Sequence, residues 1–589
     1  MVKSVKPDLC GDFLLFFGEL EPPGGRTGRA WRAVFKSADK NEDAALWCQN
    51  TSETWRGAPF REIPLREGRA WLFGELFGGS EAALEAVARG ERSAEGLNGH
   101  FLFIVRDDES REWTIHTDRL GTFHAYVARR GQRVAVGSSF RAVAGVASAR
   151  RLDWQALAGF FRCGFFPGDL TPYDDVSILR PARRYVFSPQ GELRAARRYW
   201  QWQHKPSLAG EEATERFGEL LHEVVGEMAA EGRIALPLSG GLDSRSLLAA
   251  LPSAAGGDDG RIWTYSYGYG RGSAETRIAG RLAKKRQAPF RAFRVPAYLF
   301  DRLPSVHLAI EGFQDLTQTR QAAFADEIGR QADFVLGGHW GDVWLNDTGL
   351  AGQARPASAE VVDHAFSRVS KRGGEELAEL LCRTPLGDDP AALTRQGIQR
   401  EIQALGEIED ADFLVKAFKT DQWSARSTTA SLRAYQLAAF PRLPFYDNRL
   451  VDFFTSVGST EVAGRRLEIA YLKKFAPDLA GVAWQETGVD LFHSHWPGSL
   501  LLPLRALHKS ARLLGLETKV ERNWEAQFLN GPGRAGLESW LLRPGLRLHD
   551  FLPPKAAREL FERFYGRPEP ALGYQLSILL SFSVFLESS

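Results

Sequence analysis

Hydrophobic and polar residues alternate in short runs through the first third of the chain. After turn residues at 97–100, the run Phe-Leu-Phe-Ile-Val at 101–105 is rich in β-forming side chains. Similar short segments, separated by turns, follow at 112–116, 125–128, 134–138 and 183–188. Short strands at close spacing are typical of antiparallel sheets packed in layers. Residues 1–205 are therefore predicted to form a layered antiparallel-sheet domain.

The periodicity changes at about residue 206. Residues 211–230 place Phe217, Leu221, Val224 and Met228 on one face of a predicted helix. The elements predicted after it are a strand at 234–238, a glycine turn with an apolar helix, a strand at 262–267, a helix at 273–285 and a strand end at 334–338. This alternation indicates a parallel α/β sheet. Residues 206–589 are predicted to form this second domain, mostly helical from about residue 355.

Composition and charge narrow the class of protein. The 589 residues are 44% hydrophobic and 25% charged, with a net charge of +1, which is ordinary for a globular chain and disfavours a general nucleic-acid binder. No run of eighteen apolar residues occurs, and the run at 13–17 is too short for a signal peptide, so no membrane span is expected. The cysteines lie far apart, which predicts a reduced, cytoplasmic protein without a disulfide framework.

The strongest chemical signal lies at residues 236–246. A predicted strand ends in Ser239-Gly240-Gly241, and Asp243 and Ser244 open a helix. Glycines let a ligand approach the main chain, and the N–H groups of such a turn attract phosphate. The Asp243 carboxylate would repel phosphate unless a cation such as Mg²⁺ lay between them. A well-capped structural turn is the alternative, but the whole string favours a nucleotide site. The chain has no Gly-Lys dipeptide, so it is not a Walker P-loop.

This string resembles the pyrophosphate loop of the N-type ATP pyrophosphatases, and further segments resemble the asparagine synthetase branch of that group. Residues 265–268 (Tyr-Ser-Tyr-Gly) stand for the family's Phe-Ser-x-Gly, and residues 337–343 (Gly-Gly-His-Trp-Gly-Asp-Val) for its Ser-Gly-Glu-Gly-x-Asp-Glu. Residues 442–447 (Arg-Leu-Pro-Phe-Tyr-Asp) stand for the family's Arg-x-Pro-Phe-Leu-Asp, with Tyr446 in place of the leucine. In the first half, residues 97–103 match Leu-x-Gly-x-Phe-x-Phe, and residues 117–121 resemble Arg-Asp-x-x-Gly.

The resemblance implies a fold, two cofactors and a set of site residues. The first half would be a glutamine amidotransferase-like domain of the N-terminal nucleophile (Ntn) type, and the second an ATP-pyrophosphatase domain like the adenine nucleotide α-hydrolases. ATP and Mg²⁺ would be bound, the metal by Asp243 and Asp342. Asp243, Lys473 and Lys474 are the candidate catalytic residues, the lysines having surface positions as an equal alternative. The predicted ATP-binding residues are Leu238, Ser239, Gly240, Gly241, Asp243, Ser244, Tyr265, Ser266, Tyr267 and Gly338.

Several positions depart from the family pattern. Glutamine-dependent members need a cysteine directly after the initiator Met, whereas this sequence has Val2, and Cys10 is the nearest thiol. The family's glutamate before Arg-x-Pro-Phe falls at Phe440 or Pro441, and its later lysine at Thr487. We therefore expect a glutaminase fold without glutaminase activity, joined to an ATP site that activates a carboxylate as an acyl-adenylate for attack by an amine.

The substrate is left open between several classes. Residues 337–343 and the Trp-x-x-Thr-Gly run at 484–488 look more like the lasso-peptide cyclases, which join a peptide's N-terminal amine to an Asp or Glu side chain. That reading implies a precursor peptide, a leader-binding protein and a leader peptidase as partners, with neither nucleic acid nor membrane. A β-lactam synthetase, an ammonia-dependent asparagine synthetase and a pseudoenzyme that binds ATP or a peptide are the alternatives. Arginines at 180–198 are expected to be solvated strand edges, with an acidic peptide as the alternative ligand.

Overall fold

The structure is a computed structural model of the 589-residue chain. It describes residues 8–18, 30–37, 44–52, 55–79, 81–147, 151–252, 260–270, 273–354, 358–493 and 522–588. Val2, whose identity prompted the expectation about glutaminase activity, lies outside these residues.

Two antiparallel sheets make up the first part of the chain. Among the described residues, seven strands form one sheet in the order β1-β5-β6-β7-β8-β12-β13, six form another in the order β11-β9-β10-β2-β4-β3, and five form a third, parallel sheet in the order β16-β15-β14-β17-β18. The strands are β1 Asp8–Cys10, β2 Phe13–Phe17, β3 Trp31–Lys36, β4 Ala44–Gln49, β5 Ala58–Leu65, β6 Gly68–Phe77, β7 Asn98–Asp107, β8 Trp113–Thr117, β9 Tyr126–Arg130, β10 Arg133–Gly137, β11 Val176–Ile178, β12 Arg183–Phe187, β13 Leu193–Arg198, β14 Ile234–Pro237, β15 Ile262–Gly268, β16 Phe290–Arg294, β17 Phe334–Leu336 and β18 Phe440–Arg442.

The period-2 pattern of the strands explains how the antiparallel sheets stack. In β2, Phe13 and Phe17 lie in the core between the two sheets, while Leu14 and Phe16 face the opposite side. The inter-sheet core is aromatic: the rings of Trp71 and Trp113 stack with their centroids 5.7 Å apart. The helix Glu81–Ala88 packs on the outer face of the seven-stranded sheet. The predicted layered antiparallel domain is therefore present.

The parallel sheet carries helices in the alternation that the sequence indicates. β14 pairs in parallel with both β15 and β17, which makes it the central strand. The α-helices are Glu81–Ala88, Phe140–Ala147, Trp154–Cys163, Gly210–Met228, Asp243–Ala250, Ala274–Lys285, Leu303–Ile310, Ala325–Gln331, Gly341–Trp344, Ser358–Val369, Gly374–Leu386, Pro390–Gln403, Ala411–Lys419, Thr429–Arg433, Asn448–Thr455, Ser459–Val462, Arg466–Phe475, Pro477–Ala480, Asn523–Phe528, Gly531–Leu541, Pro554–Gly566 and Pro570–Ser588, and Thr420–Thr428 is π-helical. The predicted domain division at 205/206 falls between β13 and the helix Gly210–Met228 and stays a prediction.

Strand β18 is an element that the sequence pattern did not predict. Phe440–Arg442 contains Pro441, which argues against a strand because proline cannot donate to a ladder. The strand lies at the edge of the sheet, next to β17, where one side of its backbone has no strand partner. An edge position tolerates the proline. Among the described residues, the mostly helical part of the chain after about residue 355 contributes this one strand to the parallel sheet.

The helix Pro570–Ser588 is long and apolar enough to cross a membrane by length and composition. In the structure, however, 78% of its apolar window is buried inside the molecule. Its serines bond to the protein interior: Ser581 Oγ donates to the Gln314 carbonyl at 3.1 Å and accepts from the Leu316 N–H at 3.2 Å. It is therefore a core helix of this fold.

The motif at residues 442–447 connects the two halves of the molecule. Arg442 makes a bidentate ion pair with Glu75 of the first half, at 2.6 and 2.8 Å. The Leu443 N–H donates to His100 Nε2 at 3.1 Å, and burial lowers the pKa of His100 to about 4, which keeps this nitrogen free to accept. Asp447 accepts from Asn98 Nδ2 at 2.9 Å. Two stretches that the sequence analysis treated separately, at 97–103 and 442–447, therefore contact each other directly.

We expect Arg442→Met to destabilise the protein by about 3–5 kcal/mol, because it leaves the half-buried carboxylate of Glu75 without its partner. Arg442 is itself 4% exposed, and it also donates to the carbonyls of Met228 and Glu231. Urea unfolding followed by circular dichroism measures the change. Arg69→Met is the matched control, since the Arg69–Glu62 pair is exposed and should contribute under about 1 kcal/mol. Equal losses in both variants would contradict the structural role of Arg442.

Candidate functional site

A cleft of about 440 Å³ opens at the carboxyl ends of β14, β15 and β17. Parallel sheets place their ligands at this edge, because the loops that leave neighbouring strands converge there. The loop after β14 contributes Ser239 and Asp243, the end of β15 contributes Tyr267, and the loop after β17 contributes Gly338 and Asp342. Segments about 100 residues apart in sequence, each singled out by its motif, thus line one cavity.

The loop after β14 is built around two serines and two glycines. Ser244 Oγ accepts from the Ser239 N–H at 3.0 Å, and Ser239 Oγ accepts from the Gly241 N–H at 3.1 Å. A Cβ on Gly240 would lie 2.5 Å from Gln485 Oε1, so only glycine fits there without displacement. Leu238, Ser239, Asp243 and Ser244 line the cleft, whereas Gly240 and Gly241 shape the turn without lining it.

The end of β15 contributes two successive residues to the cleft, Ser266 and Tyr267. Tyr265 is fully buried and packs its ring 5.8 Å from that of Phe293. Its side chain does not line the cleft, and its predicted place in the ATP site stays a prediction. Ser266 Oγ is buried and has no hydrogen-bond partner within the described parts of the chain. An unsatisfied hydroxyl at the cleft wall is available to a polar ligand such as a nucleotide.

Carboxylates concentrate on one side of the cleft. Asp243 and Asp342 both line it, and Glu468 lies behind Asp243 with none of its side chain exposed. Arg465 bridges the two inner acids, with Nη1 2.5 Å from Asp243 Oδ1 and 2.8 Å from Glu468 Oε2. Burial raises the pKa of Asp243 well above its usual value, and Glu468 and Asp342 raise it further, while Arg465 opposes them. This site favours a cation.

The donor set fits Mg²⁺ held partly by a substrate. No group of three or more His, Cys, Asp or Glu side chains that could hold a metal occurs among the residues placed by the structure. A Cβ on Gly341 would lie 2.9 Å from Asp243 Oδ1, so this glycine lets the Asp342 loop approach Asp243 closely. Two carboxylates with phosphate oxygens and waters are the ligands that Mg²⁺ prefers. Asp243 and Asp342 therefore fit the predicted metal role, provided that phosphates complete the set.

The two lysines predicted from the sequence do not line the cleft. Lys474 forms surface ion pairs with Glu211 and Glu215, at 2.8 and 2.5 Å. The Nζ of Lys473 lies 5.7 Å from the ring centroid of Phe492. Both follow the outward side of the helix Arg466–Phe475, whose inward side carries Glu468. The structure thus matches the alternative of surface lysines and does not support a catalytic role for them.

Cationic and aromatic residues also line the cleft, and several of them lie outside the sequence motifs. Arg320 donates from Nε to the Tyr267 hydroxyl at 2.9 Å, and Lys419 lies at the end of the helix Ala411–Lys419. The Lys419 Nζ is 5.8 Å from the ring centroid of Trp340 and 5.3 Å from that of Trp423. Lys419 and Trp423 belong to no spacing pattern that the sequence analysis could use.

Trp340 has an unusual backbone. Its φ is +74°, in the left-handed region that favours glycine. In the family motif this position is the second glycine of Ser-Gly-Glu-Gly, so the conformation suits that residue and not a tryptophan. The ring is 7% exposed, lines the cleft, and donates from Nε1 to Thr420 Oγ1 at 3.0 Å. Strain of this kind costs about 1–3 kcal/mol and persists mostly at functional sites.

Comparisons with known families agree with this geometry. Residues 216–431, which carry most of the cleft, match the asparagine synthase family, and residues 78–200 match the glutamine amidotransferase domain family. Residues 216–431 therefore carry an asparagine synthase domain, and residues 78–200 carry a glutamine amidotransferase domain. Together the two matches span more than half of the sequence. No curated protein matches the chain in a sequence comparison.

Some solved structures also resemble the chain, at low sequence identity. One is described as the structure of the allosteric regulatory enzyme of purine biosynthesis, with 11% identity and a TM-score of 0.21, covering 49% of this chain and 81% of that chain. Another is glutamine phosphoribosylpyrophosphate amidotransferase from B. subtilis complexed with ADP and GMP, with 10% identity and a TM-score of 0.20, covering 48% and 65%.

The two family matches, with the sheet topology, confirm the predicted fold class and the class of enzyme. The stacked antiparallel sheets are those of a glutamine amidotransferase domain, and the parallel sheet with its helices is the synthetase half. The protein is an ATP-dependent, amide-forming ligase. Enzymes of this family use ATP, which agrees with the phosphate-accepting loop and the unsatisfied Ser266 hydroxyl.

The cysteine nearest the N-terminus is poorly suited to glutamine hydrolysis. Cys10 is 2% exposed, and its Sγ donates to the Asp12 carbonyl at 3.1 Å. Burial, with Cys48 beside it, raises the pKa of the Cys10 thiol well above its usual value. A neutral, buried thiol is a weak nucleophile. Cys48, Cys163 and Cys382 are also buried, so none of the four thiols of the sequence is exposed to glutamine.

We expect the ligase to release no glutamate from glutamine, and Cys10→Ala to leave its ATP-dependent activity unchanged. Iodoacetamide should fail to label the native protein and should label all four thiols in urea, because each is buried in the fold. Mass spectrometry of the peptides measures the labelling. Glutamate release that disappears in Cys10→Ala would show that the thiol becomes accessible and active.

Proposed function

We propose that the ligase closes a macrolactam within a peptide. The side-chain carboxylate of an Asp or Glu attacks the α-phosphorus of ATP, and pyrophosphate leaves. The peptide's own N-terminal amine then attacks the acyl carbon, AMP leaves, and the amine loses a proton. The products are AMP, pyrophosphate and a peptide that is lighter by one water, as in the lasso-peptide cyclases that the motifs resemble.

The observation that carries this proposal is the aromatic wall beside the adenylation loop. Trp340, Trp423 and Tyr435 line the same cleft as the acidic residues, and Trp340 does so in a backbone conformation better suited to glycine. A small polar substrate such as aspartate gains little from indole rings. A peptide gains contact area with the rings, and its amine can be attracted to their faces. The strained Trp340 is therefore best explained by binding of a large substrate.

The residues of the cleft have separable roles in this reaction. The hydroxyls of Ser239 and Ser244 and the N–H groups at the start of the helix Asp243–Ala250 bind the phosphates that leave as pyrophosphate. Asp243 and Asp342 would hold Mg²⁺, which supplies positive charge to the phosphate oxygens when bound. Lys419, which lines the cleft near Asp342, provides a fixed cation for the charge that develops on the leaving group. The aromatic wall holds the peptide so that its amine reaches the acyl carbon.

The source of the amine follows from the buried thiols. With no thiol exposed for glutamine hydrolysis, ammonia from glutamine does not supply the nucleophile. An amine carried by the substrate itself needs no second active site. A cytoplasmic location, a precursor peptide, a leader-binding protein and a leader peptidase are part of this proposal, because a free N-terminal amine must be generated before ring closure.

The purified protein should be incubated with Mg²⁺, ATP and linear peptides that have a free N-terminus and an internal Asp or Glu, and the nucleotides and peptides followed by mass spectrometry. AMP with a peptide lighter by one water supports the proposal. AMP formed only with free aspartate and ammonia would assign asparagine synthesis instead. Trp340→Ala sharpens the test, since it should raise the KM for the peptide while it leaves the KM for ATP nearly unchanged.

A further inference from the structure

A second cavity, of about 80 Å³, lies between the two halves of the molecule and is rich in arginine. Arg180, Arg183 and Arg198 enter it from the sheet side, next to Arg119. Arg426 enters it from the π-helical segment of the synthetase half. We call these residues and the cavity between them the arginine pocket. The sequence analysis had placed the sheet arginines on solvated strand edges.

Two of these arginines are neutralised by carboxylates of the synthetase half. Arg180 makes a bidentate pair with Glu401, at 2.9 and 3.0 Å. The Nη1 of Arg119 lies 2.5 Å from Asp452 Oδ1. These ion pairs fix the positions of the two guanidinium groups, and the carboxylates offset their positive charge in the pocket.

The contact between Arg198 and Asp421 is weaker. The Arg198 Nη2 lies 3.7 Å from Asp421 Oδ2, beyond hydrogen-bond distance. The shorter bond of Asp421 is the one that it accepts from Trp202 Nε1, at 2.8 Å. Burial lowers the pKa of Arg198, and Arg183 and Arg180 lower it further. Positive charge therefore accumulates on this side of the pocket.

Two arginines of the pocket have no carboxylate partner among the residues that the structure describes. Arg426 is 3% exposed, and its guanidinium donates only to carbonyls, to Gly168 from Nε at 2.7 Å and from Nη2 at 2.5 Å, and to Ala425 from Nη1 at 3.4 Å. Burial and the nearby Arg180 lower the pKa of Arg426 to about 10, while Glu401 and Asp169, which pair with Arg180, oppose that change. Arg183 is half-buried and forms no ion pair in the described chain. A buried cation that forms no ion pair of its own is costly unless an anion joins it.

The geometry points to the arginine pocket as a binding site for the phosphate group of a small anion. The guanidinium fork matches tetrahedral oxyanions, which accept several hydrogen bonds at once. A cavity of about 80 Å³ holds one such group but not a nucleotide, so the site is distinct from the ATP cleft. Inorganic phosphate, and pyrophosphate released by the ligation, share this chemistry. This inference is independent of the peptide substrate proposed above.

The position of the pocket connects it with the ATP cleft. The segment Thr420–Thr428 places Trp423 and Thr428 in the cleft, and Asp421 and Arg426 in the arginine pocket. π-Helical turns are rare and occur often at functional sites. An anion that draws Arg426 and Arg198 together would act on the same segment that bears the cleft residues. Phosphate is therefore expected to change the affinity for ATP, and ATP the affinity for phosphate by the same factor.

Arg183→Met tests the site, with Arg184→Met as its matched control on the same strand. Arg184 is exposed, does not line the pocket, and its Nη2 lies 3.5 Å from Thr114 Oγ1. Equilibrium dialysis with ³²P-orthophosphate should show one bound phosphate in the wild type and in Arg184→Met. Binding to Arg183→Met should be about ten-fold weaker or more, the loss typical of one hydrogen-bonded charge. Arg183→Lys, which keeps the charge, should restore part of the affinity.

Two further readouts complete the test. Calorimetric titration with Mg-ATP should give an affinity that phosphate changes in the wild type and in Arg184→Met, but not in Arg183→Met. Pyrophosphate should displace the labelled phosphate, and glutamate should not. Equal binding by all variants would place the phosphate in the ATP cleft, and absence of binding by the wild type, or displacement by glutamate, would equally overturn the proposal. Circular dichroism melting shows that each variant is folded.

Discussion

Asp243→Asn is expected to lower AMP formation by about 10³-fold while it raises the free energy of unfolding at pH 8. The loss of activity follows from the position of Asp243 at the end of the phosphate-accepting loop, close to the loop that carries Asp342. Without this carboxylate, Mg²⁺ loses a protein ligand and the charge on the leaving pyrophosphate is poorly balanced. Initial rates of AMP formation with saturating Mg-ATP measure the effect.

The gain in stability follows from the raised pKa of Asp243. A carboxyl whose pKa is higher in the folded than in the unfolded protein binds more protons when folded, so its contribution to stability falls as the pH rises towards the folded pKa. A neutral amide lacks this cost. The gain should therefore be largest above the folded pKa and shrink as the pH falls towards the ordinary Asp value. Arg465 keeps its pair with Glu468 in the variant.

Asp301→Asn is the control for both readouts, because Asp301 is exposed and lies outside the cleft. It should change neither the rate nor the stability curve. Retention of AMP formation in Asp243→Asn would remove Asp243 from the metal site. A loss of stability at pH 8 would mean that its ion pair with Arg465 outweighs burial and the repulsion from Glu468.

Lys419→Met is expected to lower the rate of AMP formation by about 10²-fold with a smaller change in the KM for ATP. Among the lysines that the structure describes, Lys419 lines the cleft. Its ammonium lies 5.8 Å from the ring centroid of Trp340 and 5.3 Å from that of Trp423. Burial lowers its pKa and the nearby Asp342 opposes that change, so a cation is held next to the acidic wall. A preorganised cation helps most where charge develops in the transition state.

Lys474→Met separates this role from the one assigned to the helix lysines by sequence. Lys474 pairs only with Glu211 and Glu215 in the described structure, at the surface. Its removal should leave the rate of AMP formation unchanged and cost little stability. If Lys474→Met lost activity and Lys419→Met did not, the catalytic cation would be the one predicted from the sequence, acting in a conformation other than this one.

The parts of the fold that depend on local sequence could be predicted. Alternating strands, the amphipathic helix Gly210–Met228 and the Ser-Gly-Gly turn each follow from neighbouring residues, and the motifs around 243 and 342 both lie at the cleft. The edge strand Phe440–Arg442 was missed because a proline normally opposes strand formation, and only its place in the sheet explains it.

The rest of the site depends on contacts between distant residues. Arg465 reaches Asp243 across 222 positions, and nothing near either residue in sequence signals the pair. Lys419 and Trp423 lie on a helix end and a π-helical segment, which have no hydrophobic period of their own. Tyr265 shares a strand face with Tyr267 and lies deeper along β15. How far the cleft reaches along this strand depends on packing between distant residues, which the motif does not state.

The contact between residues 97–100 and 442–447 has a consequence for how such proteins can be rearranged by recombination. Asn98 and His100 bind the backbone and side chains of the synthetase half, and Glu75 binds Arg442. A chimera that takes its first half from a relative must therefore inherit these partners together, or leave a buried arginine unmatched. A domain without an exposed thiol thus contributes to the ligase through its contacts with the synthetase half.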